Sequence, residues 1–161
     1  MGLVLSLLSA IFYAGLAQGG GLFGGAFLLL AGLADVVDGA VARARGEVSA
    51  RGSFLDSTLD RIAEVAVFAG IAVSGAVPAV AVLLALALSL LVSYTRAKGE
   101  SLGIAVSGLG IGERAERILV LAALSVVGFL DYGVFAVVFL AGATFVHRLV
   151  TVSVALSRSS T

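Results

Sequence analysis

Residues 28–61 read LLLAGLADVVDGAVARARGEVSARGSFLDSTLDR, a largely apolar stretch that holds four of the five aspartates in the chain. The four are Asp35, Asp38, Asp56 and Asp60. An aspartate at the centre of a membrane-spanning helix costs about 2.5–3.5 kcal/mol, so four carboxylates together need a cationic partner. Oxygen ligands suit hard cations such as Mg²⁺ or Mn²⁺. The stretch therefore predicts a divalent metal site, and four carboxylates are enough to hold two ions.

The composition is that of an integral membrane protein. Of the 161 residues, 60% are hydrophobic and 12% are charged, whereas a soluble domain carries about 25% charged residues. Cysteine is absent and His147 is the only histidine, which excludes disulfides, thiolate metal sites and multi-histidine metal sites. The net charge is zero, so no nucleic-acid partner is expected.

Apolar runs bounded by glycine, proline and charged residues predict six transmembrane helices, and hence an all-α fold. The predicted spans are 2–18, 22–44, 53–75, 78–98, 113–130 and 133–156. We expect residues 1–161 to form one transmembrane domain. The first span begins so abruptly that an amphipathic segment is expected upstream of it.

The basic residues predict the orientation of the chain in the membrane. All ten fall at or near one set of helix ends, in the breaks 43–52 and 96–114 and in the later part of the last span. The opposite loops, 19–22, 74–78 and 131–133, contain no lysine or arginine. Positive residues favour the cytoplasmic side. The pattern therefore predicts a multi-pass protein of the cell membrane whose acidic site faces the cytoplasm.

Helical spacing predicts that the four aspartates converge. Asp35 and Asp38 are three residues apart, Asp56 and Asp60 are four apart, and each pair therefore shares one helix face. The short break between the two helices predicts that they are antiparallel neighbours. All four carboxylates are then expected in one cleft near the cytoplasmic surface.

Small residues accompany the aspartates. Gly39 and Ala42 follow Asp38, and Gly52 lies about one turn before the third aspartate. Their missing side chains leave room for a flat or bulky ligand against the helix backbones. Arg43 at the same helix end supplies a counter-charge for a phosphate group.

The complete pattern resembles the signature of the CDP-alcohol phosphotransferases. In that signature an Asp, two residues, Asp-Gly, two residues and Ala-Arg precede a Gly and two further aspartates at fixed spacings. The matching positions are Asp35, Asp38, Gly39, Ala42, Arg43, Gly52, Asp56 and Asp60. The resemblance implies an enzyme of phospholipid biosynthesis that binds a CDP-linked lipid. The hydroxyl group of an acceptor attacks the β-phosphorus of that donor, and CMP leaves.

The resemblance also implies a role for each matched position. Asp35, Asp38 and Asp56 look like metal ligands, and Asp60 looks like the general base, with a further contact to the second metal ion. The implied cofactor is Mg²⁺ or Mn²⁺ in a two-metal site, and the implied partners are membrane lipids and a second copy of the chain in a homodimer. The CDP-donor site would comprise Asp35, Asp38, Gly39, Ala42, Arg43, Gly52 and Asp56.

A second basic region indicates the acceptor. Its residues are Arg96, Lys98, Arg114, Arg117 and Arg148. Free glycerol, serine or inositol would not require so many cations, so we expect an acceptor that already carries phosphate. The segments 93–100 (SYTRAKGE) and 113–117 (ERAER) are similar to those of phosphatidylinositol-phosphate and archaetidylinositol-phosphate synthases within the family. This similarity favours inositol-1-phosphate.

Several alternatives stay open at the level of the sequence. The acceptor could be glycerol-3-phosphate, as in a phosphatidylglycerophosphate synthase, or the donor could be CDP-inositol, as in a di-inositol-phosphate synthase. A divalent-cation transporter is the alternative from a different class. The basic residues could instead meet lipid phosphates or pair with nearby glutamates. An ion pair between Arg61 and Glu64, beside Asp60, is also expected.

Overall fold

The computed structural model describes residues 2–15, 20–45, 49–106, 108 and 110–159. The regular secondary structure in these residues is entirely helical, which confirms the predicted all-α class. The helices are α1 (Gly2–Tyr13), α2 (Gly20–Arg45), α3 (Ala50–Ser74), α4 (Ala79–Ser101), α5 (Arg114–Val126) and α6 (Leu130–Ser159).

Local capping contacts fix the ends of the helices that carry the charged residues. The Ser49 Oγ accepts a hydrogen bond of 3.0 Å from the N–H of Gly52 at the beginning of α3. That helix ends at Gly75, whose φ of 67° lies in the left-handed region favoured by glycine. Glu113 and Glu116 form a capping box at the beginning of α5. These caps fix the first residues of α3 and α5, and hence the positions of the α3 aspartates and the α5 arginines along their helices.

Three of the described helices contain segments long and apolar enough to cross a membrane, and they are Gly20–Asp38, Ala79–Ser101 and Leu130–Arg158. With 12 and 13 residues, α1 and α5 are shorter, about 20 Å at 1.5 Å per residue against a bilayer core of about 30 Å. The third helix has 25 residues but several charged side chains. The prediction of a helical membrane fold is therefore confirmed for six helices and three long apolar spans.

The helices do not all pack against their neighbours in sequence. Helix α1 packs against both α2 and α3, α5 packs against α2 and α6, and α4 packs against α6 and α3. In the part of the chain that the structure describes, α2 and α3 are not a closely packed pair, although their short connection predicts antiparallel neighbours. Helix α1 packs against both of them and so links α2 to α3.

Small residues bring the helix backbones into contact around the apolar core. A Cβ atom on Gly70 of α3 would meet the backbone carbonyl of Ala10 in α1, and one on Gly25 of α2 would lie 2.9 Å from the Cβ of Ser125 in α5. Such approach is typical of membrane helices, which gain little from apolar burial alone. Every helix contributes to the core, which contains Tyr13, Leu28, Val67, Phe68, Ile71, Val77, Ala81, Val82, Ala85, Ile118, Leu121, Ala122, Val134 and Val137.

Replacement of Gly70 tests the contact between α1 and α3. Gly70→Val forces α3 away from the Ala10 carbonyl, and overpacking of this kind costs about 1–3 kcal/mol. We expect the apparent unfolding temperature in detergent to fall by roughly 5 °C. Ala69→Val makes a similar change at an exposed position and should have little effect. Equal unfolding temperatures for the two variants would contradict the close approach of these helices.

Candidate active site

The four aspartates lie at two distances from the break between α2 and α3, with two aspartates on each helix. Asp35 and Asp60 lie equally far from the helix ends at that break, about 15 Å along each helix at 1.5 Å per residue. Asp38 and Asp56 lie about one helical turn closer to the break. The sequence spacing therefore places one carboxylate from each helix at each level.

Arg114, the first residue of α5, joins the two deeper aspartates. Its Nη1 atom is 2.8 Å from Oδ2 of Asp35 and 3.0 Å from Oδ1 of Asp60. Two carboxylates that are distant in sequence thus meet at one cationic nitrogen, which lowers the free-energy cost of placing them close together. The structure brings Asp35 and Asp60 together as the sequence predicts, and the group between them is a guanidinium from a third helix.

The two shallower aspartates, Asp38 and Asp56, are exposed. Among the described residues, no three His, Cys, Asp or Glu side chains are close enough to hold a metal ion together. The four aspartates nevertheless suit a hard divalent cation, because all of their ligand atoms are carboxylate oxygens. Two of the carboxylates, those of Asp35 and Asp60, already contact one cationic group. A metal ion at that point would compete with Arg114. The metal role of the four aspartates stays a prediction.

The small residues of the predicted CDP-donor site lie on either side of the same break. Gly52 is exposed in the first turn of α3, where its N–H bonds to Ser49. Gly39, Ala42 and Arg43 belong to α2, but their surroundings lie outside the described side chains. Their assignment to the donor stays a prediction.

An open cleft adjoins the Asp60 carboxylate. Four of the five predicted acceptor residues line it, whereas Lys98 is exposed near the end of α4 and is not part of the lining. Arginines from four helices therefore surround one space next to the predicted general base. The lining residues are Asp60, Arg61, Val92, Ser93, Arg96, Glu113, Arg114, Arg117 and Arg148.

Arg148 lies in the wall of this cleft, with only 2% of its side chain exposed. Its Nη1 donates a 3.1 Å hydrogen bond to the backbone carbonyl of Val92, and its Nη2 lies 2.8 Å from Oε1 of Glu113. The bond to Val92 orients the guanidinium from α6 against α4. The pair with Glu113 offsets the cost of burying the charge.

Arg117 and Glu64 form a buried ion pair between α5 and α3. Each side chain is 1% exposed, and Nη2 of Arg117 lies 3.2 Å from Oε1 of Glu64. The Nη1 atom of Arg117 donates a 2.7 Å bond to the backbone carbonyl of Gly112. The expected pair between Arg61 and Glu64 is wrong, because Arg61 donates to the carbonyl of Ser57 on its own helix. Glu64 therefore pairs with Arg117 of α5 and not with Arg61 of its own helix.

A double-mutant cycle tests this ion pair. Glu64→Gln and Arg117→Gln each leave one buried charge without its partner, which costs about 3–5 kcal/mol. The double variant removes both charges, so we expect it to be more stable than either single variant, as measured by thermal unfolding in detergent. Additive losses in the cycle would show that the two side chains are not coupled.

Glu113 and Glu64 belong to this site but are missed as site residues when the sequence is interpreted alone. Glu64 lies one helical turn after Asp60, and Glu113 immediately precedes Arg114. An acidic residue within a predicted membrane span needs a partner, which is the signal that identifies Glu64. Only the folded chain reveals that each glutamate pairs with an arginine from a distant segment.

An apolar helical bundle that places carboxylates beside an arginine-lined cleft defines a membrane protein whose site suits phosphate-bearing substrates. Comparison with known proteins specifies this class. The model of the CDP-alcohol phosphatidyltransferase family matches residues 1–156, and the chain belongs to that family. The membership confirms the resemblance found in the sequence and favours a transferase over a cation transporter.

The chain is similar to named members of the family. The archaetidylinositol phosphate synthase of Methanothermobacter thermautotrophicus is 49% identical over 117 residues, which are 73% of this chain and 60% of that protein. The chain thus spans less than two thirds of this relative's length.

Solved structures of one bacterial protein share the fold. The phosphatidylinositol phosphate synthase of Mycobacterium tuberculosis in complex with manganese and citrate matches with a TM-score of 0.79 and 30% identity, covering 94% of this chain and 78% of that one. The same protein with CDP-DAG bound matches with a TM-score of 0.78 and 30% identity, covering 94% and 82% of the two chains.

Proposed function

We propose that this protein transfers the phosphatidyl or archaetidyl group of a CDP-linked lipid to inositol-1-phosphate and releases CMP. The observation that carries the proposal is the juxtaposition of Asp60 with Arg96, Arg114 and Arg148 around one cleft. A carboxylate can accept the proton of an alcohol, and arginines recognise phosphate. The names of the archaeal and mycobacterial relatives support an acceptor of the inositol phosphate type.

The reaction requires one proton transfer and one displacement at phosphorus. Asp60 accepts the proton of the acceptor hydroxyl, whose oxygen forms a bond to the β-phosphorus of the donor. The bond from that phosphorus to the bridging oxygen breaks, and CMP leaves with the electron pair. Asp60 lies in the lining of the cleft, so an acceptor bound there by its phosphate has its hydroxyl groups near the base.

Asp35, Asp38, Asp56 and Asp60 would hold the divalent ions, Mg²⁺ or Mn²⁺. Bound there, the ions would neutralise the charge of the pyrophosphate and of the departing CMP. The manganese complex of the mycobacterial relative supports this cofactor, as does the oxygen-only donor set. Arg114, which holds Asp35 and Asp60, would then be free to turn toward the acceptor phosphate.

The remaining donor assignments follow the family signature, and that of Lys98 follows the second basic region. Gly39, Ala42 and Gly52 would shape the cytidine site, with Arg43 near the donor phosphates. The CDP-DAG complex of the mycobacterial relative supports a lipid donor. Lys98, which is exposed near the end of α4, would add a further cation for the acceptor phosphate.

We further propose the arrangement of the protein in the membrane. Residues 1–161 would form one CDP-alcohol phosphotransferase domain of six spans in the cell membrane. The cleft would face the cytoplasm, where the basic residues of the breaks are favoured. A homodimer is the proposed assembly.

A CMP-release assay tests the reaction. The protein in detergent, with Mn²⁺ or Mg²⁺ and a CDP-lipid, is incubated in parallel with inositol-1-phosphate, glycerol-3-phosphate or free inositol. We expect CMP only with inositol-1-phosphate. Release with glycerol-3-phosphate alone would keep the enzyme class and overturn the acceptor. If no acceptor releases CMP from folded protein with a CDP-lipid, the donor assignment is wrong, and CDP-inositol is the donor to test next.

A further inference from the structure

Glu113 contacts two of the cations assigned to the acceptor phosphate. Its Oε1 atom is 2.8 Å from Nη2 of Arg148, and its Oε2 atom is 3.9 Å from Nη1 of Arg96. The same Oε1 accepts a 3.1 Å hydrogen bond from the N–H of Gly108 in the loop before α5. One carboxylate thus contacts two arginines and accepts a bond from the loop beside them. It is the near partner of Arg148, whereas Arg96 has a closer partner in Glu100, whose Oε1 lies 2.9 Å from Nε of Arg96.

A phosphate group and the Glu113 carboxylate would compete for the same guanidinium donors. Both are anions that bind arginine through charge-assisted hydrogen bonds. If both stayed in contact with Arg148, two like charges would lie close together in a partly buried cleft, which is unfavourable. Glu113 is 34% exposed, so its side chain has space to move away, whereas Arg148 is 2% exposed and held by Val92.

We propose that Glu113 is an exchangeable counter-anion of the acceptor site, displaced from Arg148 and Arg96 when a phosphate monoester binds. The inference rests on the proposed function, in which these arginines hold the acceptor phosphate. Arg148 then has an anionic partner at every stage, which matters because an unpaired buried charge is costly. Exchange requires an anion, so an uncharged alcohol cannot take the place of the carboxylate.

The counter-anion also explains how such a site releases its product. Transfer to the acceptor hydroxyl leaves the acceptor phosphate unchanged, so the lipid product carries the group that bound to the arginines. A site with cations alone would retain that product. When the carboxylate of Glu113 returns to Arg148, it replaces the departing phosphate and lowers the free energy of the emptied site. Glu113 therefore weakens acceptor binding and speeds product release.

The Glu113→Gln variant tests the proposal. The amide is nearly isosteric with the carboxylate but competes poorly with phosphate, so we expect the acceptor KM to fall about tenfold without an increase in kcat. Inorganic phosphate, used as the probe, should inhibit the variant at about tenfold lower concentration than the wild type. Glu116→Gln is the matched control, since it alters the other carboxylate of the same capping box, and we expect less than a twofold change.

Two results would overturn the proposal. One is a higher acceptor KM in Glu113→Gln, which would make Glu113 a direct contact of the acceptor. The other is equal inhibition of the variant and the wild type by inorganic phosphate. If wild-type protein releases no CMP with any acceptor, the proposed function itself fails, and a binding measurement then decides the role of Glu113.

Hydrogen exchange on the wild-type protein measures whether phosphate displaces the Glu113 carboxylate. This experiment requires no variant and no enzymatic activity. Displacement of Glu113 removes the acceptor of the Gly108 N–H bond. We expect inorganic phosphate to speed deuterium uptake in the peptide that contains Gly108. Uptake that is unchanged or slower in phosphate would show that the carboxylate stays in place, and would contradict the exchange.

Discussion

CMP release by the Asp60→Asn variant is expected to fall at least about a hundredfold, while the CDP-lipid donor still binds. General base catalysis contributes about 10²–10⁴ to a rate, and an amide cannot accept the proton of the acceptor hydroxyl. Asp60 lines the arginine-rich cleft and lies 3.0 Å from Arg114, so the substitution acts in the cleft that we propose for the acceptor. The measurement is single-turnover CMP release together with the donor Kd.

The control for this experiment is Asp131→Asn. It makes the same chemical change in the first turn of α6, outside the lining of the cleft, and we expect wild-type rates. Asp60→Asn also removes one of the two carboxylates that hold Arg114, but Asp35 still binds that guanidinium. If the Asp60→Asn variant kept full turnover, Asp60 would be excluded as the general base. Loss of donor binding equal to the loss of rate would make it a donor ligand instead.

The sequence predicts the parts of this site that depend on short-range spacing. Helical periodicity places Asp35 with Asp38 and Asp56 with Asp60, and the apolar runs predict six helices. Both properties are local, since they depend on residues within a few turns of one another. The predicted convergence of the two helices' aspartates agrees with the meeting of Asp35 and Asp60 at Arg114.

Contacts between distant segments are not visible in the sequence. Arg114 is 79 positions from Asp35, and Arg117 is 53 positions from Glu64. Local spacing favours the pair of Arg61 with Glu64, which is wrong, because Glu64 pairs with Arg117. It also favours α2 and α3 as antiparallel neighbours, and in the described residues these two helices do not pack closely. The packing of α1 against both α2 and α3 is a tertiary effect that overrides the short connection. The positions of Arg148 and Glu113 in one cleft depend on the packing of α6 against α4 and α5.

Arg148→Gln is expected to raise the acceptor KM at least about thirtyfold and to change the donor KM less than threefold. Truncation of one member of a buried, hydrogen-bonded charge pair costs about 2–5 kcal/mol, and each 1.4 kcal/mol is a factor of ten in affinity. Glutamine cannot provide the planar, bidentate contact that arginine makes with phosphate. Steady-state kinetics with inositol-1-phosphate and a CDP-lipid, each varied in turn, measure both constants.

Two further variants separate phosphate binding from the ion pair with Glu113. Arg158→Gln removes an exposed charge near the end of the same helix and should leave both constants unchanged. The double variant Glu113→Gln/Arg148→Gln removes both charges of the pair, so any stability lost in the single variant should return. Acceptor affinity should not return with it, because the phosphate still lacks its arginine. If both stability and acceptor affinity returned in the double variant, the role of Arg148 would be purely structural. Equal effects of Arg148→Gln on the acceptor KM and the donor KM would lead to the same conclusion.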